Sequence, residues 1–344
     1  MAGGLTQLGN DLYTGKRSVD FIKRRRLWYV VSALAIVLSL GLPLLVLPAF
    51  DRGFHFGIEF TGGSQFTVSG STKDISDTNI ASDAVQSVTG ADTEPLVAIV
   101  GGDAVRVQTT QLDTDGRTTV SDRVAAALGR AYDVPVPGDG DRGVSSSFVG
   151  PTWGADISSG AIRGLVIFLV LVAIVMAVYF RTWKMSVAGI VSLVHDLVIT
   201  AGIYGIVGFE ITPAAVIGFL TILGYSLYDT VVVFDKIREN TAAMGERSTR
   251  TFAETVNLAV NQTLVRSINT SIVGLLPIAS ILFIGTTLLG AGTLRDISLA
   301  LFIGIIVGTY STIFVAAPLY TDLRGTEPAI KQQAQRVLAA RAKG

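Results

Sequence analysis

The chain has 344 residues, of which 49% are hydrophobic and only 16% charged, whereas about 25% of residues in soluble domains are charged. The apolar excess indicates membrane-embedded segments, and equal numbers of basic and acidic residues, 27 each, give no indication of nucleic-acid binding. The absence of cysteine excludes disulfides, thiolate metal sites and cysteine nucleophiles, and two histidines leave little for a zinc site.

Six apolar stretches are long enough to cross a bilayer, which takes about 20 helical residues. The first follows a basic arm, residues 1–26, and exceeds the apolar run of a signal peptide, so we expect a retained anchor. A polytopic α-helical protein with six transmembrane helices is therefore predicted. The predicted spans are residues 27–50, 161–180, 185–207, 213–234, 265–285 and 295–319.

Basic residues next to the spans predict the topology. Lys and Arg are concentrated in the arm, beside residue 181, in the loop 235–264 with its flanks and in the tail 320–344, whereas Arg295 is the one basic residue in the turns of the opposite side. Because basic residues stay on the cytoplasmic side, we expect both termini in the cytoplasm of a multi-pass protein of the inner or plasma membrane.

The long insert, residues 51–160, then lies outside the cytoplasm. Its pattern predicts an α+β domain in the order βαββαβ, which is typical of a ferredoxin-like fold. The predicted strands are 57–68, 96–100, 104–109 and 145–149, the helices are 77–89 and 118–132, a hairpin turn is 101–103 and a flexible connector is 133–142. On the cytoplasmic side, residues 251–260 are compatible with a helix at the membrane interface or with a surface helix packed on the span ends.

Ionisable residues at membrane depth cost at least about 2.5–3.5 kcal/mol each, and they commonly mark functional sites. Asp229 lies in the fourth span, Asp196 lies beside His195 in the middle of the third, and Arg266 begins the fifth, followed by Asn269. The fourth and fifth spans are antiparallel, so Asp229 and Arg266 are expected at similar depth, where they can face each other.

A carboxyl group held between the opposing effects of burial and a nearby guanidinium can change its protonation when the geometry changes slightly. Asp229 and Arg266 are therefore the candidate proton relay, with His195, Asp196, Asn269 and Tyr228 as weaker relay or packing candidates. The alternatives are a static buried ion pair, an Arg266 that extends to the headgroups, and a His195–Asp196 pair that satisfies neighbouring polar groups.

Four motifs resemble the SecD/SecF protein-translocase family of the resistance-nodulation-division superfamily. They are Phe56-Gly-Ile-Glu-Phe-Thr-Gly-Gly63, Val194-His-Asp196, the run 224–240 (GYSLYDTVVVFDKIREN) and the run 261–270 (NQTLVRSINT). The resemblance covers residues 20–320. The sequence departs from the family pattern at Glu59, where Asp is more usual.

The resemblance implies a non-enzymatic subunit of the Sec export machinery that forms a heterodimer with SecD. Such complexes use the proton-motive force, with protons as the coupling ion and no other cofactor, to draw unfolded exported polypeptides outward after SecA and the SecYEG channel begin the process. YajC and YidC are further candidate partners. Asp229 matches the family's membrane carboxylate and Arg266 its basic residue, and another acidic residue is expected from SecD.

Three other functional classes are the alternatives. A small-molecule or lipid exporter of the same superfamily usually has two outside domains in one chain, whereas this chain has one long insert. An intramembrane aspartyl protease needs a second Asp in a Gly-x-Gly-Asp segment, and the sequence contains neither that segment nor a serine- or zinc-hydrolase motif. A purely structural scaffold would require Asp229 and Arg266 to be replaceable by apolar residues.

Overall fold

Six helices dominate the computed structural model, which describes residues 7, 10–46, 53–91, 93–100, 104–110, 112, 119–136, 142–242, 244, 248–285 and 292–343. Within these residues, six helices are long and apolar enough to cross a membrane, which confirms the polytopic class. They are α1 (Arg25–Gly41), α5 (Pro151–Phe180), α6 (Trp183–Val207), α7 (Pro213–Ala242), α8 (Phe252–Ser280) and α9 (Gly292–Ser311). π-helical turns extend α1, α8 and α9 over Leu42–Val46, Ile281–Gly285 and Thr312–Ala316, and α9 then continues into α10 (Ala317–Gly325).

The insert between α1 and α5 contains a four-stranded sheet. Every neighbouring pair in the sheet is antiparallel, in the order β3-β4-β2-β5. The strands are β2 (Gly63–Ser69), β3 (Leu96–Val100), β4 (Ala104–Thr109) and β5 (Gly143–Val149), and the helices are α3 (Asn79–Thr89) and α4 (Val120–Tyr132). Alternate residues of β2 and β4 point into a core completed by both helices, as the period-two pattern requires.

The predicted strand 57–68 is wrong in its first half. Instead of one strand, the chain forms a two-residue strand β1 (His55–Phe56), a helical turn α2 (Ile58–Thr61) and then β2. Gly62 and Gly63 turn the chain between α2 and β2 with φ of 73° and 132°, values that favour glycine. The paired glycines interrupt the strand, a local effect that the hydrophobic pattern does not reveal.

Helices α7 and α8 extend beyond the predicted spans at the ends that face each other along the chain. Helix α7 continues to Ala242 and α8 already begins at Phe252, so most of the predicted loop 235–264 is helical. Thr251 and Glu254 form a capping box that starts α8 well before the apolar segment. Hydropathy marks where a helix enters lipid, whereas the cap marks where the helix begins.

The face predicted for an interfacial helix is buried inside the protein. Phe252, Val256, Ala259 and Val260 lie in the main core of the helical bundle, so the second interpretation, a helix packed on the span ends, is correct. A further helix, α11 (Pro328–Lys343), lies in the tail, where Arg341 donates two hydrogen bonds to Glu254. The predicted turn 101–103 and half of the connector, residues 137–141, lie outside the described residues.

Small residues bring the membrane helices together. A Cβ atom added to Gly304 or Gly308 of α9 would lie 2.0 Å from Ile222 Cδ1 or 2.9 Å from Ser226 Cβ of α7. Helices α7 and α9 therefore pack closely through these glycines, as small residues permit in membranes. This contact positions the polar residues described below.

Candidate functional site

Asp229 is a buried carboxyl group at the contact between α7 and α8. Its side chain is 5% exposed, and Oδ1 accepts a hydrogen bond of 2.8 Å from the Ser267 hydroxyl. The other oxygen, Oδ2, is buried without a hydrogen-bond partner within the described part of the chain. A buried carboxylate with an unmatched oxygen is costly, so this group is suited to binding a proton.

Arg266 lies close enough to Asp229 for an electrostatic interaction, but no ion pair joins the two described residues. Arg266 is exposed, and Ser267 beside it makes the hydrogen bond to the carboxyl. Adjacent residues of a helix point about 100° apart, so Ser267 faces Asp229 more directly than Arg266 does.

Asp196 is a second buried carboxyl group, at the contact between α6 and α7. Its exposure is 0%, and Oδ2 accepts a hydrogen bond of 2.6 Å from the Ser226 hydroxyl. Oδ1 lies 3.2 Å from His195 Nδ1. Ser226 precedes Asp229 by three residues, so both lie on one face of α7. Asp229 belongs to this face, and Asp196 contacts it through Ser226.

His195 connects this region to α9 and α1. Its ring stacks on Tyr310 with centroids 6.0 Å apart, and the Tyr310 hydroxyl lies 3.1 Å from the Ser32 hydroxyl. Its Nε2 is buried without a hydrogen-bond partner among the described residues, as is the hydroxyl of Ser192 one turn earlier. The structure thus brings His195 and Asp196 together as the sequence suggested, and adds hydroxyl groups around them.

Sequence reasoning missed most of the hydroxyl side chains. Besides Ser226 and Ser267, the Thr230 hydroxyl lies 2.9 Å from that of Thr312, and Ser271 bonds to Thr309. One signal was available: hydroxyl residues recur one helical turn from Asp229 and from Ser267. Serine and threonine are common in membrane helices, so this spacing alone does not distinguish a site from packing.

Tyr228 and Asn269, the remaining candidates, lie on the outside of the bundle. Tyr228 is 54% exposed, and Asn269 is exposed on the same helix as Arg266. The structure therefore separates the candidates into a buried group (His195, Asp196 and Asp229) and an outward-facing group (Tyr228, Arg266 and Asn269).

Several polar residues of the sequence motifs join the N-terminal arm, α7 and α8 at one end of the bundle. The side chain of Asn261 accepts a hydrogen bond of 2.8 Å from Val19 N and donates one of 3.0 Å to Val19 O, which fixes the N-terminal arm on α8. Asn240 donates a hydrogen bond of 2.8 Å to Gln262 and so joins α7 to α8. These contacts give the motif residues a structural role.

A polar contact joins the sheet domain to the outer end of the bundle. Glu210, in the short strand β6 (Glu210–Ile211), accepts a hydrogen bond of 2.6 Å from Arg106 of β4 and another from Gln108. The same strand pairs in parallel with β1, with His55 opposite Glu210. Both members of the ion pair are mostly buried, at 21% and 16% side-chain exposure.

The loop that carries Glu210 is also attached to α9. Thr212 donates a hydrogen bond of 2.8 Å to Asp296 Oδ2, and the Tyr204 hydroxyl donates one of 2.9 Å to the Asp296 carbonyl oxygen. Side-chain contacts therefore connect α6 and α9 to the loop whose Glu210 binds Arg106. Within the part of the chain that is described, no cluster of three or more His, Asp or Glu residues suits a metal ion.

Family comparisons agree with the motifs. Residues 140–326 match the model described as protein export membrane protein SecD/SecF, C-terminal, and residues 50–73 match the SecD/SecF GG motif. The second match includes Gly62 and Gly63, the glycines that turn the chain into β2.

Curated relatives match almost the whole chain. The protein translocase subunit SecF of Streptomyces coelicolor is 44% identical over 99% of this chain and 86% of its own length. The SecF subunit of Mycobacterium tuberculosis strain H37Rv is 40% identical over 97% of this chain and 73% of its own length. The SecDF protein of Thermus thermophilus is 32% identical over 85% of this chain, which spans 37% of that longer protein.

Two solved structures have a similar fold. The crystal structure of SecDF from Thermus thermophilus, a translocon-associated membrane protein, matches with a TM-score of 0.71 and 30% identity over 90% of this chain. SecDF in its super-membrane-facing form matches with a TM-score of 0.59 and 28% identity over 95% of this chain. This chain spans 39% and 40% of the two SecDF chains.

Proposed function

On the premise that this chain belongs to the SecD/SecF family of protein-export membrane proteins, we propose that it uses proton flow to assist polypeptide export. The family membership makes it a multi-pass accessory subunit of the Sec pathway with SecD as its partner. Proton coupling is our proposal. We also propose that the transported substrate is an unfolded polypeptide.

The observation that supports proton coupling best is the environment of Asp229. The carboxyl is buried at membrane depth, accepts one hydroxyl hydrogen bond and has one oxygen without a partner in the described structure. Loss of its proton leaves a charge that one hydroxyl satisfies poorly, whereas a bound proton removes that cost. The protonation of Asp229 thus changes the free energy of the contact between α7 and α8.

The outward-facing group (Tyr228, Arg266 and Asn269) supports a contact with SecD on this face of the bundle. An exposed arginine at membrane depth is unfavourable in lipid, and Arg266 lies beside exposed Asn269. We propose that SecD covers this face and supplies an acidic side chain to Arg266, so that the complete relay contains groups from both subunits. Neutralisation of Asp229 then shifts α7 and α8 relative to the SecD half.

The Glu210 contact supports a route from the bundle to the outside domain. Movement of α6, α7 or α9 acts on strand β6, and Arg106 and Gln108 transmit it to the sheet. The sheet domain then alternates between two positions and thereby holds and releases an emerging polypeptide. We assign this domain the ferredoxin-like fold, supported by the element order βαββαβ and the antiparallel order β3-β4-β2-β5.

The membrane orientation follows from the distribution of basic residues. We place the chain in the inner or plasma membrane with both termini in the cytoplasm, next to the SecYEG channel and SecA, with YajC and YidC as further partners. Protons serve as the coupling ion, with no other cofactor and no enzymatic reaction. One proton gains about 2.3 kcal/mol per 100 mV, which is enough to bias two domain positions of similar stability.

The test is export into membrane vesicles that contain SecD together with this chain, with and without a proton gradient. Asp229→Asn preserves the hydrogen bond from Ser267 but cannot release a proton, so it should abolish the stimulation by the gradient while export without the gradient is unchanged. Co-purification with SecD provides the control for assembly. Normal stimulation in an assembled Asp229→Asn complex would refute the relay.

A further inference from the structure

We infer that His195, Asp196 and Ser226 form the proton-loading arm of the pathway, which passes protons to Asp229. The inference rests on the proposed function, since it needs Asp229 to bind protons. It assigns Asp196, the second buried carboxyl group, a role in proton transfer. In a packing role, Asp196 would keep one protonation state.

Hydrogen-bonding contacts join three groups that can exchange protons. His195 Nδ1 lies 3.2 Å from Asp196 Oδ1, and Asp196 Oδ2 lies 2.6 Å from Ser226 Oγ. No hydrogen bond joins the described residues Ser226 and Asp229, but the two are three positions apart on α7, where side chains start about 5–6 Å from each other, so one water can bridge them. Hydroxyl and imidazole groups that accept one proton while losing another are suited to such transfer.

The burial of this line argues that it holds protons. His195 is 3% exposed and Asp196 is fully buried. Among the described residues, the one ionisable group that contacts Asp196 is His195 of the same helix, and its hydroxyl contacts are Ser226 of α7 and Ser311 of α9. Tyr310 of α9 stacks on the histidine ring. The His195–Asp196 pair has no net charge either as imidazolium with carboxylate or as neutral imidazole with carboxylic acid.

Three buried polar atoms without partners mark the two ends of the line. They are Ser192 Oγ, His195 Nε2 and Asp229 Oδ2 within the described structure. Each such atom costs about 1–3 kcal/mol unless a partner is supplied, and a bound water is one such partner. In the proposed line, Nε2 receives the proton and Oδ2 of Asp229 is free to take it up.

The transfer step balances with one bridging water between Ser226 and Asp229. A proton binds to His195 Nε2, and the imidazole releases its Nδ1 proton to Asp196 Oδ1. Asp196 begins the step protonated on Oδ2, and this second proton moves to the Ser226 oxygen as the Ser226 hydroxyl proton passes to the water and a proton of the water passes to Asp229. One N–H bond forms and one breaks at His195, one O–H bond forms and one breaks at Asp196, at Ser226 and at the water, and one O–H bond forms at Asp229.

Infrared difference spectroscopy of the chain in complex with SecD, recorded during a pH change, tests the inference. The stretching band of a protonated carboxyl reports each acid directly, so Asp229→Asn should remove one band and Asp196→Asn a different one. In vesicles, Asp196→Asn should abolish gradient-stimulated export, and Ser226→Ala should slow proton uptake by about tenfold or more, as expected when a proton-transfer group is lost.

Thr230→Val is the matched control, because it removes a buried hydroxyl from the next position of the same helix face without touching either carboxyl. It should leave both bands and proton uptake unchanged. If Asp196→Asn fails to assemble, Ser226→Ala decides the question, since it removes one oxygen from an otherwise intact site. Normal uptake in Ser226→Ala, or an Asp196 carboxyl without a pH-dependent band, would overturn the loading arm.

The outcomes separate this inference from the proposed function. Loss of gradient stimulation in Asp229→Asn with normal stimulation in Asp196→Asn would remove the loading arm and keep the relay. Normal stimulation in both variants would remove the relay itself. Loss in both, with two separate infrared bands, supports the complete pathway.

Discussion

The hydroxyl of Ser267 determines how Asp229 is held when it has no proton. It donates the single hydrogen bond that the carboxyl receives within the described structure, whereas the adjacent Arg266 is exposed and forms no ion pair with it. A hydrogen bond to a charged group contributes about 1.5–3 kcal/mol, which corresponds to roughly tenfold or more in an equilibrium constant. Ser267 therefore favours release of the proton.

We predict that Ser267→Ala reduces gradient-stimulated export by about tenfold, because the unprotonated form of Asp229 loses its donor. Ser267→Thr retains a hydroxyl and should preserve most of the stimulation. Initial export rates in vesicles at several external pH values provide the measurement.

Ser271→Ala is the control for that prediction. Ser271 is also buried on α8 and bonds to the Ser267 carbonyl oxygen and to Thr309, but it does not contact the carboxyl. A reduction as large as that of Ser267→Ala would show that hydroxyl loss acts through packing, contrary to the prediction.

At the residue scale, the sequence is informative about charges and less so about their partners. Asp196 and Asp229 stand out because ionisable groups in apolar segments are costly. The direction of Arg266 depends on the rotation of α8, which packing determines, and a shift of one residue exchanges Arg266 for Ser267. Ser226 and Ser267 cannot be selected from the sequence, since serine is common in membrane helices.

At the element scale, close contacts between helices depend on glycine. A Cβ added to Gly202 of α6 would lie 2.6 Å from the Cα and carbonyl oxygen of Ser39 on α1, where backbone atoms cannot give way by rotating a side chain. The contact fixes α1, which leads to the outside domain, against the helix that contains Asp196.

We predict that Gly202→Ala lowers the free energy of unfolding of the purified complex by about 1–3 kcal/mol, as overpacking does. Gly164→Ala on α5 meets no atom within 4 Å and serves as the control. It should be neutral or slightly stabilising because alanine favours helix. Denaturation in mild detergent measures both variants, and equal stability of the two would contradict the proposed close contact.

The contact between Arg106 and Glu210 predicts a charge-swap result. Glu210→Arg alone should release the sheet domain, because two positive groups then face each other, and should speed amide hydrogen exchange in β1 and β6. The double variant Arg106→Glu with Glu210→Arg should restore much of the protection. Hydrogen exchange followed by mass spectrometry is the measurement, and equal exchange in the single and double variants would exclude the ion pair as the connection.

The elements themselves were largely predictable. Six apolar segments and most of the sheet could be placed from hydropathy and periodicity, because lipid and the domain core impose those patterns. The polar extension of α7, the early start of α8 at Phe252 and the turn α2 could not, since they depend on capping and on local glycine conformations.

At the scale of the whole molecule, the outward-facing group predicts where SecD binds. The chain contains no cysteine, so one introduced cysteine carries a unique spin label. A label at Asn269→Cys should lose contact with oxygen dissolved in lipid when SecD is present, whereas a label at Val178→Cys, on the exposed side of α5, should not change. Unchanged oxygen accessibility at position 269 would place SecD elsewhere.

The central claim is that Asp229 binds and releases protons that cross the membrane. The most direct measurement is proton influx, followed with an internal pH dye, into vesicles that contain SecD with either the native chain or Asp229→Asn under an imposed gradient. We predict that influx through the native complex disappears in an assembled Asp229→Asn complex. Equal influx through the two complexes would contradict the account.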